Sequence, residues 1–303
     1  MQLDPGMLAF TKALSAQTPP EFNDWPLAQQ REAWNKVCAL FRAPRPAGLT
    51  VDNLETDSVK FRLFVPHNAT PKTAVLYFHG GGWVLGGPET HDDMCAEMAA
   101  GAACAVALVD YRLAPEHQHP AQLEDSLKVW HWMRAQGYDH VIAAGDSAGG
   151  QMSVALALSL QEQHLPQLKG LVLIYPVLGA DTETASYLRN AHAPCLTRDE
   201  MIFYLESFLG PRDSANWHDE KAVPNLASDL SGLPQTFITV AAHDPLYDDG
   251  IIFTHKLRAA SVPCTLREEP ELAHSYMRAR NVSAPAKKGF DAIVEALRSL
   301  SHL

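Results

Sequence analysis

The sequence predicts an α/β fold: a largely parallel sheet covered by helices on both faces, with a helical cap over one edge. Three observations carry this. From residue 74 onward, short apolar runs alternate with helical stretches, the order expected of parallel strands joined by crossover helices. The alternation stops for 60 residues at 176–235, too long for a simple crossover between neighbouring strands. The chain has 303 residues, 47% of them hydrophobic and 19% charged, which allows a substantial core and excludes collagen-like, coiled-coil and wholly disordered classes.

Residues 1–45 read as helical, because Trp34, Val37, Cys38 and Phe41 recur at i, i+3, i+4 and i+7 after a break at Pro19-Pro20. A second break, Pro44-Arg45-Pro46, precedes two β-rich runs at 49–54 and 59–65, read as an antiparallel opening pair. Strands then follow at 74–78, 105–109, 141–144, 171–175, 236–240 and 264–268. Helices lie between them at 91–102, 121–136, 148–161 and 250–260, and a last helix carries Phe290, Ile293, Val294 and Leu297 at helical spacing. Within 176–235 only 198–209 has a helical pattern. This divides the chain into N-terminal cap helices (1–45), a core (46–175 and 236–303) and a cap insertion (176–235).

Thirty-five acidic residues against 24 basic ones give a formal charge of −11, and the single basic doublet, Lys287-Lys288, offers no nucleic-acid surface. The longest weakly polar run, 98–109, falls short of a membrane span. Met1-Gln2-Leu3-Asp4-Pro5 has neither a basic segment nor an apolar one after it, so no signal or transit peptide is expected and the protein is assigned to the cytoplasm. The five cysteines, Cys38, Cys95, Cys104, Cys195 and Cys264, are odd in number and lack metal-ligand spacing, and are read as small buried hydrophobes. Neither a metal nor a cofactor is expected.

Between the strand at 141–144 and the next helix stands Gly145-Asp146-Ser147-Ala148-Gly149-Gly150, a Gly-x-Ser-x-Gly placed where a nucleophile elbow must be. The pentapeptide alone is weak, since it arises by chance in about one chain in ten of this length. Its position on a strand-to-helix turn is what matters: a side chain at either flanking glycine would clash there, and the helix N-terminus faces developing negative charge. A second motif, His79-Gly80-Gly81-Gly82, follows the strand ending at Phe78, and its bare N–H groups suit an oxyanion. The N–H groups of Gly81, Gly82 and Ala148 are the candidate oxyanion hole. Both nucleotide-phosphate signatures, Gly-x-x-x-x-Gly-Lys-Ser/Thr and Gly-x-Gly-x-x-Gly, are absent.

A serine hydroxyl needs a base to take its proton and a carboxylate to orient that base, in the chain order Ser, acid, His. Asp244 lies just beyond the carboxyl end of the strand at 236–240, nearer to it than Asp248 or Asp249, and His274 lies in the loop before the last helix. Asp248 and Asp249 begin a helix, where N-terminal capping is the more natural role. Ser147, Asp244 and His274 are therefore the candidate triad. Because such catalysis needs a neutral imidazole, activity is expected to fall on the acid side of neutrality.

With these residues in hand, the chain resembles the hormone-sensitive-lipase-like (bacterial family IV) esterases of the α/β-hydrolase superfamily, in their Gly-Asp-Ser-Ala-Gly branch. The likeness runs from about residue 3 to the C-terminal helix. It rests on His79 to Trp83, on Asp110-Tyr111-Arg112-Leu113-Ala114-Pro115-Glu116-His117, on Gly145 to Gly150, on Asp244-Pro245-Leu246 with Asp248, and on His274. The resemblance implies an eight-stranded, mostly parallel sheet and a cap made from the N-terminus and the insertion. It also implies metal-free hydrolysis of short to medium acyl esters, the same triad, and a purely structural role for the Tyr111 to His117 stretch.

Two departures stand out. Ser275-Tyr276 replaces the family's usual Gly and aromatic after the His, adding bulk beside the base, and Gln151 stands where Asn is usual. Altered substrate shape is expected from the first. Candidate pocket residues are Trp83, Leu196, Phe203, Tyr204 and Tyr276. An amidase or formamidase on the same triad, and a non-catalytic small-molecule receptor on the same fold, are the competing readings; the substrate is a small ester in the first case, and the choice between monomer and homodimer stays open.

Overall fold

The computed structural model describes residues 2–302. Helix α1 (Pro5–Ser15) opens on Asp4, whose carboxylate accepts the Met7 N–H, with proline at its first position. Helix α2 (Leu27–Leu40) follows a short 3-10 turn, and Phe41 beyond it meets Phe10 of α1 edge to face at 4.8 Å.

Eight strands form one sheet: β1 (Leu49–Thr56), β2 (Val59–Pro66), β3 (Thr73–Phe78), β4 (Ala105–Asp110), β5 (His140–Asp146), β6 (Gly170–Ile174), β7 (Thr236–His243) and β8 (Cys264–Ala273). Their spatial order is β1-β2-β4-β3-β5-β6-β7-β8. β2 runs antiparallel to both β1 and β4, and every other pairing is parallel. The crossovers are α3 (Pro88–Ala102), α4 (Ala121–Ala135), α5 (Ala148–Glu162) and α8 (Tyr247–Ala259). The insertion carries α6 (Ala185–Arg189) and α7 (Arg198–Leu209), and α9 (Ala284–Ser301) ends the chain.

All six residues of β3 are buried, as a parallel strand covered on both sides requires. Side chains alternate between two cores. Leu76 and Phe78 join a cluster with Val129 of α4, Leu156 of α5 and Phe253 of α8, whereas Val75 and Tyr77 join one with Met94 and Met98 of α3 and Ile293 of α9. No helix among the described residues is long and apolar enough to cross a membrane.

Several elements depart from the expected boundaries: α3 starts at Pro88 and not at 91, β7 runs on to His243, the insertion carries α6 besides the expected α7, and three further departures have a local cause. β8 runs on to Ala273, through Pro270, because the ladder with β7 is interrupted between the pairing of Ala241 with Glu269 and that of His243 with Ala273, where a missing N–H breaks no bond. Tyr175 lies beyond β6, at φ 35°, where the chain turns into the insertion. Helix α8 begins at Tyr247, and Asp248 and Asp249 in its first turn do not cap it. The Asp249 carboxylate accepts the N–H groups of Leu178 and Gly179, and that of Asp248 accepts the Ser186 N–H, so both fasten the insertion.

The register decides where chemistry sits. Phe78 at the end of β3 pairs beside Gly145 of β5, and Asp146 beside Ile174 of β6. The loops leaving β3, β5, β7 and β8 therefore emerge at one edge of the sheet, the carboxyl edge where open α/β sheets bind ligands.

Candidate active site

Ser147 sits between β5 and α5 at φ 56°, ψ −119°, a conformation rarely adopted by a residue with a side chain. Its neighbours make that turn possible. A Cβ on Gly149 would lie 1.9 Å from the Phe78 carbonyl oxygen, and one on Gly145 would lie 2.4 Å from Gly149. The strained turn and the strand beside it leave room for hydrogen only.

His274, just past β8, brings its Nε2 to 3.1 Å from Ser147 Oγ, while its Nδ1 stands 2.6 Å from Asp244 Oδ2. All three side chains are buried. A carboxylate facing Nδ1 fixes the proton on that nitrogen and turns the Nε2 lone pair toward the serine hydroxyl. The other oxygen of Asp244 accepts the Leu246 N–H at 2.9 Å, and Asn190 at the end of α6 donates to the Asp244 carbonyl at 2.9 Å. Tyr175 packs edge-on against the His274 ring, centroids 4.8 Å apart. This chain of bonds is suited to activating an oxygen nucleophile.

The glycine loop after β3 lies alongside. Among the described residues nothing accepts the N–H of Gly81 or Gly82, and the N–H of Ala148 opens α5, where no intrahelical partner exists. Asp146 holds the loop down: its Oδ1 accepts the Gly80 N–H at 3.0 Å and the Tyr77 hydroxyl at 2.9 Å, and His91 Nε2 lies 3.3 Å from its Oδ2. Burial alone would raise this carboxyl, but His91, Arg278 and Tyr77 hold it well below the usual carboxylate range. His79 stacks on Tyr111 at 4.1 Å, and burial pushes its imidazole down to about 3, so it stays neutral. Tyr111 in turn donates to the His79 carbonyl, and Arg112 pairs with Asp125.

Ser147 and His274 open onto a cavity of about 310 Å³. Its walls come from the glycine loop, from α1 and α2 with the segment joining them, and from residues 193–204 of the insertion. Leu196 and Tyr204 line it, and the Tyr204 ring lies over Gly82, where a Cβ would stand 2.3 Å from the ring.

Trp83, Phe203 and Tyr276 do not line it. Trp83 is turned into the core, stacked on Phe208 at 4.0 Å with its indole N–H given to Gln151. Phe203 is 43% exposed on the outer side of α7, and Tyr276 is buried with its hydroxyl 2.8 Å from that of Thr239. Being aromatic does not say which way a residue points: Phe203 falls on the solvent side of α7, and Trp83 and Tyr276 are turned by their polar partners.

Other cavity residues lacked any such signal. Asp146 lay inside the serine motif without a role of its own. Arg278 and Trp34 stood in segments read only as loop and helix. Cys195, read as a small hydrophobe, lines the wall, its thiol pushed up to about 12 by burial. Gln151 spans from Trp83 to the Lys221 carbonyl and so ties α5 to the insertion. Ser275 lines the cavity with φ 60°, a left-handed backbone better suited to glycine. Among the described residues no group of three or more His, Cys, Asp or Glu side chains is arranged to hold a metal.

A parallel sheet with a strained serine at its carboxyl edge, faced by a histidine and a glycine loop, defines an α/β hydrolase, and the chain belongs to the family described by the α/β hydrolase fold, whose model matches residues 75–278. Carboxylesterase NlhH of Mycobacterium tuberculosis is 37% identical over 238 residues, 75% of this chain and 74% of that protein. Ethyl acetate hydrolase of Pseudomonas putida is 31% identical, over 82% of this chain and 81% of its own. Among solved structures, an esterase from the bacterial hormone-sensitive lipase family superposes with a TM-score of 0.89 at 26% identity, covering 99% of this chain and all of the other. The protein is a carboxylic ester hydrolase of the hormone-sensitive-lipase-like branch.

Proposed function

We propose that the protein is a serine carboxylesterase for short to medium acyl chains, with Ser147 as nucleophile, His274 as general base and then acid, and Asp244 orienting the imidazole. The observation that carries this reading is the unbroken pair of contacts, 3.1 Å from Ser147 to His274 and 2.6 Å on to Asp244, opening onto the cavity. Ser147 Oγ adds to the ester carbonyl while His274 Nε2 takes its proton. The N–H groups of Gly81, Gly82 and Ala148 receive the oxyanion. His274 then passes the proton to the departing alcohol, and water repeats the sequence on the acyl-enzyme.

Residues 1–45 and 176–235 act as the cap. A cavity of about 310 Å³ lies at the small end of the range for small-molecule sites, which favours acyl groups of modest length. The ethyl acetate hydrolase likeness points the same way. A panel of p-nitrophenyl esters from two to sixteen acyl carbons tests this. Turnover is expected to be highest between two and eight carbons and to fall by at least about a thousandfold in Ser147→Ala. A preference for sixteen carbons, or undiminished activity without the hydroxyl, would overturn the reading.

A further inference from the structure

Arg278 stands in the wall of the same cavity as Ser147, four residues beyond His274, and is 8% exposed. A guanidinium has five N–H donors and is always charged. Among the described residues no carboxylate lies within 4.0 Å of this one. One nitrogen donates to the Thr90 carbonyl at 2.7 Å, and another lies 3.3 Å from His91 Nε2. That Nε2 lies equally far, 3.3 Å, from Asp146 Oδ2, so only a long and shared contact joins it to Arg278. The guanidinium thus has a single firm protein acceptor.

Its surroundings steady it without completing it. The Trp34 ring lies 5.8 Å away and lines the same cavity, and the Trp34 indole N–H is itself buried without an acceptor. The two acids in the cavity wall are already supplied with donors. Asp146 takes those of Tyr77 and Gly80, and Glu200 takes the N–H and hydroxyl of Thr197. The cavity that Ser147 opens onto therefore holds in its wall a desolvated cation with no carboxylate partner. A carboxylate is the group whose two oxygens match a guanidinium fork.

We propose that Arg278 makes the enzyme select esters whose acyl or alcohol part carries a second, remote carboxylate, such as half-esters of dicarboxylic acids. This rests on the serine-esterase reading above and adds to it a substrate class. Arg278 acts there as a binding residue, holding the far end of the substrate while Ser147 meets the scissile carbonyl.

The test compares kcat/KM for monoethyl adipate, the matching ester with a terminal amide, and ethyl hexanoate, followed by ethanol release. A parallel series places the carboxylate on the alcohol: 4-(butanoyloxy)butanoate against butyl butanoate. In at least one series the carboxylate ester is expected to exceed its alkyl partner by about ten- to hundredfold, chiefly through KM. The carboxylate-to-alkyl ratio, which does not depend on how much of a variant folds, is expected to collapse toward one in Arg278→Met and to recover in part in Arg278→Lys. Equal rates in both series, a ratio unchanged in Arg278→Met, or a preference for the neutral amide over the carboxylate would overturn the proposal. If ethyl hexanoate is cleaved by the wild type and not by Ser147→Ala, the esterase reading stands whichever way the ratio falls; if no ester is cleaved, that reading itself fails.

Discussion

At the scale of single residues, the proposed triad was legible because its constraints are local. Each member follows a strand end, in an order that the fold demands, so counting strands was enough to choose Asp244 over Asp248 and Asp249. The consequence of that choice is testable. In Asp244→Asn the amide meets His274 Nδ1 with a donor instead of an acceptor, which leaves the proton on Nε2, facing Ser147. We expect kcat to fall by about 10³- to 10⁴-fold with KM little changed, measured on p-nitrophenyl butyrate. Gly149 makes a different point. With a Cβ 1.9 Å from the Phe78 carbonyl, Gly149→Ala must push α5 away from β3, and a loss of about 2–4 kcal/mol in denaturant unfolding is expected, together with the activity. Wild-type stability in that variant would mean that the elbow is looser than its geometry requires. The pocket residues were legible only in part: Trp83 and Tyr276 carry polar atoms whose partners, Gln151 and Thr239, are far away in sequence, and those partners decide which way the rings face.

At the scale of elements, strands and helices of the core could be read from periodicity because each is covered by neighbours on a fixed side. Where a local signal and a tertiary role conflict, the reading stopped short. Pro270 looks like a strand terminator, yet β8 passes through it at the sheet's edge. Asp248 and Asp249 look like caps, yet they reach across to residues 178, 179 and 186. The attachment of α2 is of the same kind. Arg31 donates to the carbonyls of Val84 and Ala114 and forms a two-pronged pair with Glu116, which joins α2 to the segments after the glycine loop and after β4. The Asp-Tyr-Arg-Leu-Ala-Pro-Glu-His stretch thus serves as an anchor for an N-terminal helix, which nothing in its spacing foretells. Arg31→Ala is expected to cost about 1–3 kcal/mol and to raise KM more than it lowers kcat, because it frees a wall of the cavity and leaves the serine untouched. A pure kcat loss would instead make Arg31 a support of the glycine loop.

At the scale of the whole molecule, the balance of buried titratable groups sets how the fold responds to acid, and the signs oppose one another. Burial depresses the imidazoles of His79, to about 3, and of His91 and His119. Each binds a proton more readily in the unfolded chain, near about pH 6.5, so each removes stability as pH falls below that value. Asp249 runs the other way. Burial pushes its carboxyl up to about 7 despite the two N–H groups it accepts. It therefore holds a proton that the unfolded chain releases near about pH 4, and its contribution is lost as pH rises from about 4 to 7. Burial raises the carboxyls of Asp110 and Glu269 as well and depresses the imidazole of His243, so four histidines stand against three acids and still prevail, each proton of difference being worth about 1.4 kcal/mol per pH unit. The urea midpoint is expected to climb from pH 5 to pH 6.5 and then level off. Asp249→Asn keeps an oxygen for Leu178 and Gly179 while removing the titration, so its climb should be steeper than that of the wild type. A wild-type midpoint that falls across this range would mean that the buried histidines are charged in the folded protein, and with them the neutral platform under the glycine loop would have to be abandoned.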